Sequence, residues 1–275
     1  MTYSIDPSLQ QLIVRQFPAA QAAGCFSPLA GLTGLTGKVT LDRQVMLARR
    51  QALQPIPFVS RRREYRLLKQ LAASGLVPQV YGHNQHWLLL EWLPGEVLDA
   101  AQIAQHLPEL VTVVSELHHQ PLTGYRLPML ALLRCYWQQC RQRNIHWLRA
   151  LRRLERRGEP LPLRLAPLHM DIHGGNILQC GGRLRLIDWE YAGDGDIALE
   201  LAAMIGASGL SAAQSRRLLL DYARHNQLDA ARLARQVARW HPWLRLLMAS
   251  WYQLRAEQSG EQPLRQLAAA AWLAL

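Results

Sequence analysis

Hydrophobic and polar positions follow two different rhythms along this chain. Up to about residue 92 the pattern is mixed. Asp6 followed by Pro7 reads as the N-cap and first turn of a short helix reaching about Phe17. Lys38–Leu41 and Gln44–Arg49 read as two short strands around an Asp42-Arg43 turn. Arg61 to about Ala73 carries Tyr65, Leu67, Leu68 and Leu71 at helical spacing, with Ser74-Gly75 as its stop. Gln79–Gly82 and His86–Trp92 read as two further strands, and Pro94-Gly95 breaks the chain.

Beyond that break the rhythm is mostly helical. Leu98–His119 is a helical region that restarts near Pro108, and Pro128 to about Arg157 reads as one or two helices. Pro160, Pro162 and Pro167 mark an extended stretch leading into His169–Asn176. A hairpin follows, Ile177–Leu178 and Leu184–Ile187 around Gly181-Gly182, and from about Asp196 the chain is helical again. The expected organisation is a small mixed region over residues 1–92 and a larger helical region over 93–275, an α+β arrangement.

Composition narrows the classes. With 49% hydrophobic and 19% charged residues over 275 positions, the chain can bury a core, which excludes a disordered or collagen-like protein. The uncharged stretch from Gln16 to Gly37 is interrupted by Gln, Gly, Pro, Ser and Thr and makes a poor membrane span. The first residues lack the basic and apolar regions of a signal peptide. Cys25, Cys135, Cys140 and Cys180 form no C-x-x-C pair and are expected to be reduced thiols. A soluble, cytoplasmic protein is the expectation. The net charge of +11 rests on 31 basic residues, of which only Lys38 and Lys69 are lysines. Such a charge suits nucleic acid, a membrane surface or the phosphates of a nucleotide. The basic residues are dispersed in short clusters, such as Arg61-Arg62-Arg63 and Arg152-Arg153, without a long basic tail, so no physiological nucleic-acid partner is expected.

One stretch carries chemistry. Leu168-His169-Met170-Asp171-Ile172-His173-Gly174-Gly175-Asn176 has the form H-x-D-x-x-x-x-N, and twelve residues after Asn176 a hydrophobic strand ends in Asp188. Phosphoryl transfer needs these groups in this order. One carboxylate orients the acceptor hydroxyl and takes its proton. An amide oxygen and a second carboxylate hold the Mg²⁺ that bridges the nucleotide phosphates. Asp171 is therefore the expected base, with Asn176 and Asp188 as metal ligands and ATP as the phosphoryl donor. His169 is expected to brace the loop by hydrogen bonds.

The same stretch resembles the aminoglycoside phosphotransferase and choline kinase family, whose fold is protein-kinase-like with two lobes. The resemblance covers essentially the whole chain and is weaker before about Leu88. It runs through Pro94-Gly95-Glu96-Val97, Tyr136-Trp137-Gln138-Gln139 and Arg239-Trp240-His241-Pro242-Trp243-Leu244, and is densest from Leu186 to Ala202. That last run resembles the family's thiamine-phosphorylating members more than its others. The resemblance implies that Gly31, Gly34 and Gly37 form a loop over the nucleotide phosphates, where glycine lets backbone N–H groups approach. It implies a strand cation on the α- and β-phosphates. Alternation puts Ala48 and Arg50 on one face, which selects Arg50 over Arg49, with Glu64 as its ion-pair partner. Glu91-Trp92-Leu93 would be the hinge whose backbone bonds adenine, so Glu91 and Leu93 join the nucleotide site.

A thiamine acceptor is a flat cation with one primary hydroxyl. A chain of charge +11 must offer it locally negative or aromatic surroundings. Trp137, Trp189 and Glu190 are the expected substrate contacts, with Asp194 and Glu200 as further acids and Trp240, Trp243 and Trp251 as further rings. Asp196 is expected to cap the helix that starts at Ile197. A kinase for another small alcohol, such as an aminoglycoside or choline, stays open at this point. So does a basic nucleic-acid-binding protein on a decayed kinase fold.

Overall fold

The computed structural model describes residues 6–18, 25–29, 36–41 and 44–275. Gly31, Gly34 and the expected Asp42-Arg43 turn lie outside the described residues. The chain groups into two compact units, Met1–Ile103 with His173–Ala192, and Ala104–Ile172 with Gly193–Leu275. The two units interleave in sequence, with residues 173–192 grouping with the first, whereas the sequence reading placed a single boundary after residue 92.

The first unit is built on a five-stranded antiparallel sheet, β1 (Cys25–Leu29), β2 (Thr36–Leu41), β3 (Gln44–Arg50), β4 (Val80–His83) and β5 (Trp87–Glu91), in the order β1-β2-β3-β5-β4. Strand β1, which the sequence analysis does not predict, carries Pro28 and is an edge strand, where proline is tolerated. Two helices serve the sheet. The first, α1 (Pro7–Gln16), starts as expected, with the Asp6 carboxylate accepting from the Ser8 and Leu9 N–H groups. Its Leu9, Leu12 and Ile13 join Val39, Met46, Ala48, Trp87 and Leu89 in one core. The second, α2 (Arg61–Leu71), buries Leu67, Leu68 and Leu71. Gly37 is a buried residue of β2, paired with Ala48, and a Cβ there would come 2.3 Å from the Phe26 ring. That close approach is a packing reason for glycine, separate from any phosphate loop.

A smaller sheet in the same unit joins β6 (Glu96–Val97), β8 (Ile177–Cys180) and β9 (Arg183–Leu186). The β8–β9 turn is made by Gly181 and Gly182, both at positive φ, as their position in the sequence predicts.

The second unit is helical: α4 (Leu107–His118), α5 (Met129–Gln139), α6 (Ile145–Arg157), α7 (Ile197–Ala207), α8 (Ala212–His225), α9 (Ala230–Ser259) and α10 (Gln262–Leu273), following a short α3 (Ala100–Gln105) that straddles the boundary. Helix α4 begins beside Pro108, as expected. Residues Ile197–Ala202 of α7 are all buried, so this helix lacks a polar face and forms the centre of the unit. Strands β7 (Leu165–Leu168) and β10 (Gly193–Asp196) pair antiparallel and deliver the chain to it. Among the described residues Cys135, Cys140 and Cys180 are free thiols.

Candidate active site

The motif residues divide between the units: Asn176 and Asp188 belong to the first and Asp171 to the second. In the first unit the β8–β9 hairpin brings Asn176 and the chain before Asp188 together, with Ile177 opposite Leu186 and the Ile187 N–H donating to the Asn176 carbonyl at 3.0 Å. Asn176 closes a 3-10 turn that requires Gly174, since a Cβ there would sit 2.3 Å from the Leu98 carbonyl oxygen. The Asn176 amide nitrogen lies 3.2 Å from His173 Nε2. Burial lowers the His173 pKa from its ordinary value, with the Asp188 charge opposing it. Asp188 has φ of 66°, a left-handed conformation that Asp tolerates, and its side chain is 35% exposed. Two hard oxygen donors, held on one hairpin with one of them open to solvent, fit Mg²⁺.

Behind Asp188 lies a buried ion cluster. Arg49, on β3, donates to Glu64 of α2 at 2.8 Å, to Glu190 at 3.0 Å and to Asp188. Arg61 bonds the other oxygen of Glu64 and lies 3.0 Å from Glu190. Burial disfavours the Arg49 charge, and the three carboxylates more than reverse this, so it stays protonated.

In the second unit the chain leaves β7 into a loop fixed from α7. The N–H groups of His169 and Met170 donate to the two oxygens of Glu200, the latter at 2.8 Å. His169 Nδ1 accepts from the Asp171 N–H at 3.2 Å. Met170 is held at φ of 67°, a strained conformation for its side chain that the double anchor enforces just before Asp171. Burial pushes the Glu200 carboxyl up to about 7, further raised by Asp171 and offset by the two N–H bonds. His118, buried beside it, is pushed down to about 3 by burial and stays neutral.

Over residues 28–241 the chain matches the phosphotransferase enzyme family. It belongs to that family. It is 40% identical over 267 residues to the thiamine kinase of Escherichia coli O157:H7, covering 95% of this chain and 93% of that one. It is 42% identical over 264 residues to the thiamine kinase of Salmonella heidelberg, again covering 95% and 93%. Among solved structures, choline kinase LicA from Streptococcus pneumoniae superposes with a TM-score of 0.76 at 17% identity, covering 98% of this chain and 100% of that one. The α+β kinase-like fold is thus shared.

Within that phosphotransferase frame one expected ion pair is corrected, and the other expected residues take the places that follow. Arg49, not Arg50, pairs with Glu64. Alternation along β3 holds, but both faces of the sheet are covered by helices. Ala48 packs on the α1 side, and Arg50 lies opposite Trp87 with its guanidinium 5.8 Å from that ring. Glu190 is bound to two arginines rather than presented to a substrate cation. Asp194 accepts from Thr123 and Gly124, and Asp196 caps α7 as expected while also accepting from Gln236 and Trp240. Trp189 is a core residue whose indole N–H donates to the Leu186 carbonyl at 2.9 Å. Trp137 packs edge-on against Trp147 and already carries the Arg143 cation over its ring. Glu91 uses its N–H on the Gln79 carbonyl and its carboxylate on the Gln79 N–H, and Leu93 is buried. Two residues near the site take parts that the sequence analysis does not assign them. Arg61 was visible only as part of a basic triplet, although its i,i+3 spacing to Glu64 was a usable signal. Glu200 was read as a substrate acid rather than as the anchor of the Asp171 loop.

Proposed function

We propose that this chain is a thiamine kinase that transfers the γ-phosphoryl group of ATP to the hydroxyethyl oxygen of thiamine. The observation that carries the reading is the 40% identity to thiamine kinases over 95% of the chain, together with an intact Asp171, Asn176 and Asp188. In the reaction the thiamine oxygen bonds to the γ-phosphorus, the bond to the β,γ-bridging oxygen breaks, and ADP leaves with that electron pair. The Asp171 carboxylate takes the hydroxyl proton. Asn176 and Asp188 would hold Mg²⁺, which supplies charge neutralisation on the phosphates when bound. Arg49, fixed on β3 by Glu64, is the cation offered to the nucleotide phosphates in place of Arg50, and the 91–93 segment remains the proposed adenine hinge. Gly31, Gly34 and Gly37 remain the proposed phosphate cover. We place the reaction in the cytoplasm, where ATP and Mg²⁺ are abundant; no helix among the described residues is long and apolar enough to cross a membrane.

The four acids considered for the thiamine cation, Glu190, Asp194, Asp196 and Glu200, are all buried and hydrogen-bonded within the fold. Recognition of the cation therefore falls to other groups. The test is turnover with MgATP and thiamine, choline or kanamycin, with products read by mass spectrometry. Thiamine monophosphate is the expected product, and turnover of choline or kanamycin with none of thiamine overturns the proposal.

A further inference from the structure

From the first unit's ion cluster we infer that Arg61 is a positioning residue for nucleotide binding, setting the charge against which Arg49 meets the phosphates. The inference rests on the kinase reading and deepens it.

Arg61 is the first residue of α2, where the helix dipole disfavours a cation, and the Ser60 side chain forms no cap there. It is nevertheless 2% exposed and committed on every side. Its backbone N–H donates to Gln51 Oε1 at 2.9 Å, its Nε to the Arg50 carbonyl at 3.2 Å, and its two terminal nitrogens meet Glu64 and Glu190. Those two glutamates are also the partners of Arg49. Two guanidiniums and two glutamates thus form a closed neutral square, and Asp188 is the single carboxylate left over, bonded to Arg49 Nη2, the nitrogen that also meets Glu190.

The square explains why two arginines are needed. With Arg49 alone, one cation would face three carboxylates and its charge would be consumed by the buried glutamates. The site would carry a net charge of about −2 and repel a nucleotide. Arg61 cancels one glutamate, so the net charge is about −1 and one edge of Arg49 stays directed at Asp188 and at an incoming phosphate. Arginine suits this place because its planar fork reaches two carboxylates at once, which a lysine point charge does not.

The test is a charge-balance cycle on the full chain. Nucleotide affinity is measured by calorimetry with ADP, and KM values for ATP and thiamine by turnover. R61M is expected to weaken ADP binding and raise the ATP KM about tenfold, with the thiamine KM changed less than about twofold. R61M/E190Q restores the net charge and is expected to return ADP affinity to within about threefold of the wild type. If Arg61 only pins α2 to β3, the double variant still lacks the Nε bond to the Arg50 carbonyl and binds no better than R61M, which overturns the proposal. Unchanged ADP affinity in folded R61M does the same. Should R61M fail to fold, R61K carries the test. It keeps the charge without the fork, so ADP affinity within about threefold of the wild type is expected, whereas a loss of about tenfold or more overturns the inference. ADP binding needs no thiamine turnover, so failure of the thiamine reading shows separately as a wild type that binds ADP and leaves thiamine unmodified.

Discussion

Glu64 and Glu190 in the first unit and Glu200 in the second are equally withdrawn from water, yet they are stabilised by opposite means. The first two sit among guanidiniums, in an ion cluster that also grips Asp188. Glu200 faces backbone N–H groups and a neutral histidine 4.0 Å away. An ion cluster answers to any charge that enters it, because each member's field reaches the others in a poorly screened interior. A carboxylate held by N–H dipoles fixes backbone geometry and answers mainly to its own protonation. The first arrangement suits a nucleotide that arrives and leaves with its charge. The second suits a loop that must hold one aspartate in one place.

The sharpest separation of the two comes from Asp171 and Arg49, the members proposed to act in the reaction. Asp171→Asn is expected to lower kcat by about 10² to 10⁴-fold while leaving ADP affinity unaltered, since an amide can hold the hydroxyl but not accept its proton. A matching loss of ADP affinity would show that the two arrangements are not separable in this way. Arg49→Met should do the reverse. It leaves Glu64 and Glu190 to a single arginine, so urea unfolding should show a loss of about 3–5 kcal/mol, and ADP binding should fail in whatever remains folded. Wild-type ADP affinity in Arg49→Met would overturn the placement of Arg49 proposed for the nucleotide site.

What the sequence makes legible follows the divide between local and long-range structure. Local signals were legible: the Asp6 cap, the Pro108 restart, the glycine turn between β8 and β9, and the Asp196 cap of α7. The H-x-D-x-x-x-x-N run carries the roles proposed for Asp171 and Asn176, because phosphoryl transfer demands such groups in that order. What stayed hidden depends on faces and partners far apart in sequence. A period of two shows that Arg49 and Arg50 point apart but not which face α2 covers. Glu190 follows Asp188 so closely that it read as part of the substrate site, and only its distance to Arg49 and Arg61 shows otherwise. Buried acids and presented acids look alike in a sequence.

Glu200 yields a smaller effect with a defined pH sign. Its carboxyl is raised to about 7 by burial, above the ordinary value of 4.5, so the folded chain binds a proton that the unfolded chain has released between those values. Stability should therefore fall as pH rises from about 4.5 to 7 and level off above, by up to roughly 3 kcal/mol. Activity should run the other way. Protonation turns one acceptor oxygen into a hydroxyl and loosens the His169 or Met170 bond, giving kcat an acid limb centred near 7. Glu200→Gln cannot titrate. It should have a kcat about tenfold lower, no limb near 7, and less loss of stability between pH 5 and 8 than the wild type. Urea midpoints and kcat profiles across that range check both signs, and a limb that persists in Glu200→Gln assigns it to another group.

The smallest expected effect is the control that completes the comparison. Arg50 differs from Arg49 by one position, but it lies on the α1 side of the sheet, half-buried, with its charge spent on the Trp87 ring rather than on a carboxylate. Arg50→Ala removes one cation–π contact near the surface, worth about 0.5–1 kcal/mol, and leaves every member of the ion cluster in place. Urea unfolding should register that loss alone, with the ATP KM unchanged within about twofold. The contrast with Arg49→Met then isolates the face of β3 rather than the number of positive charges on it, since both variants lower the net charge by the same amount. An ATP KM that rises more in Arg50→Ala than in Arg49→Met would reverse the assignment of the two faces and return the phosphate contact to Arg50.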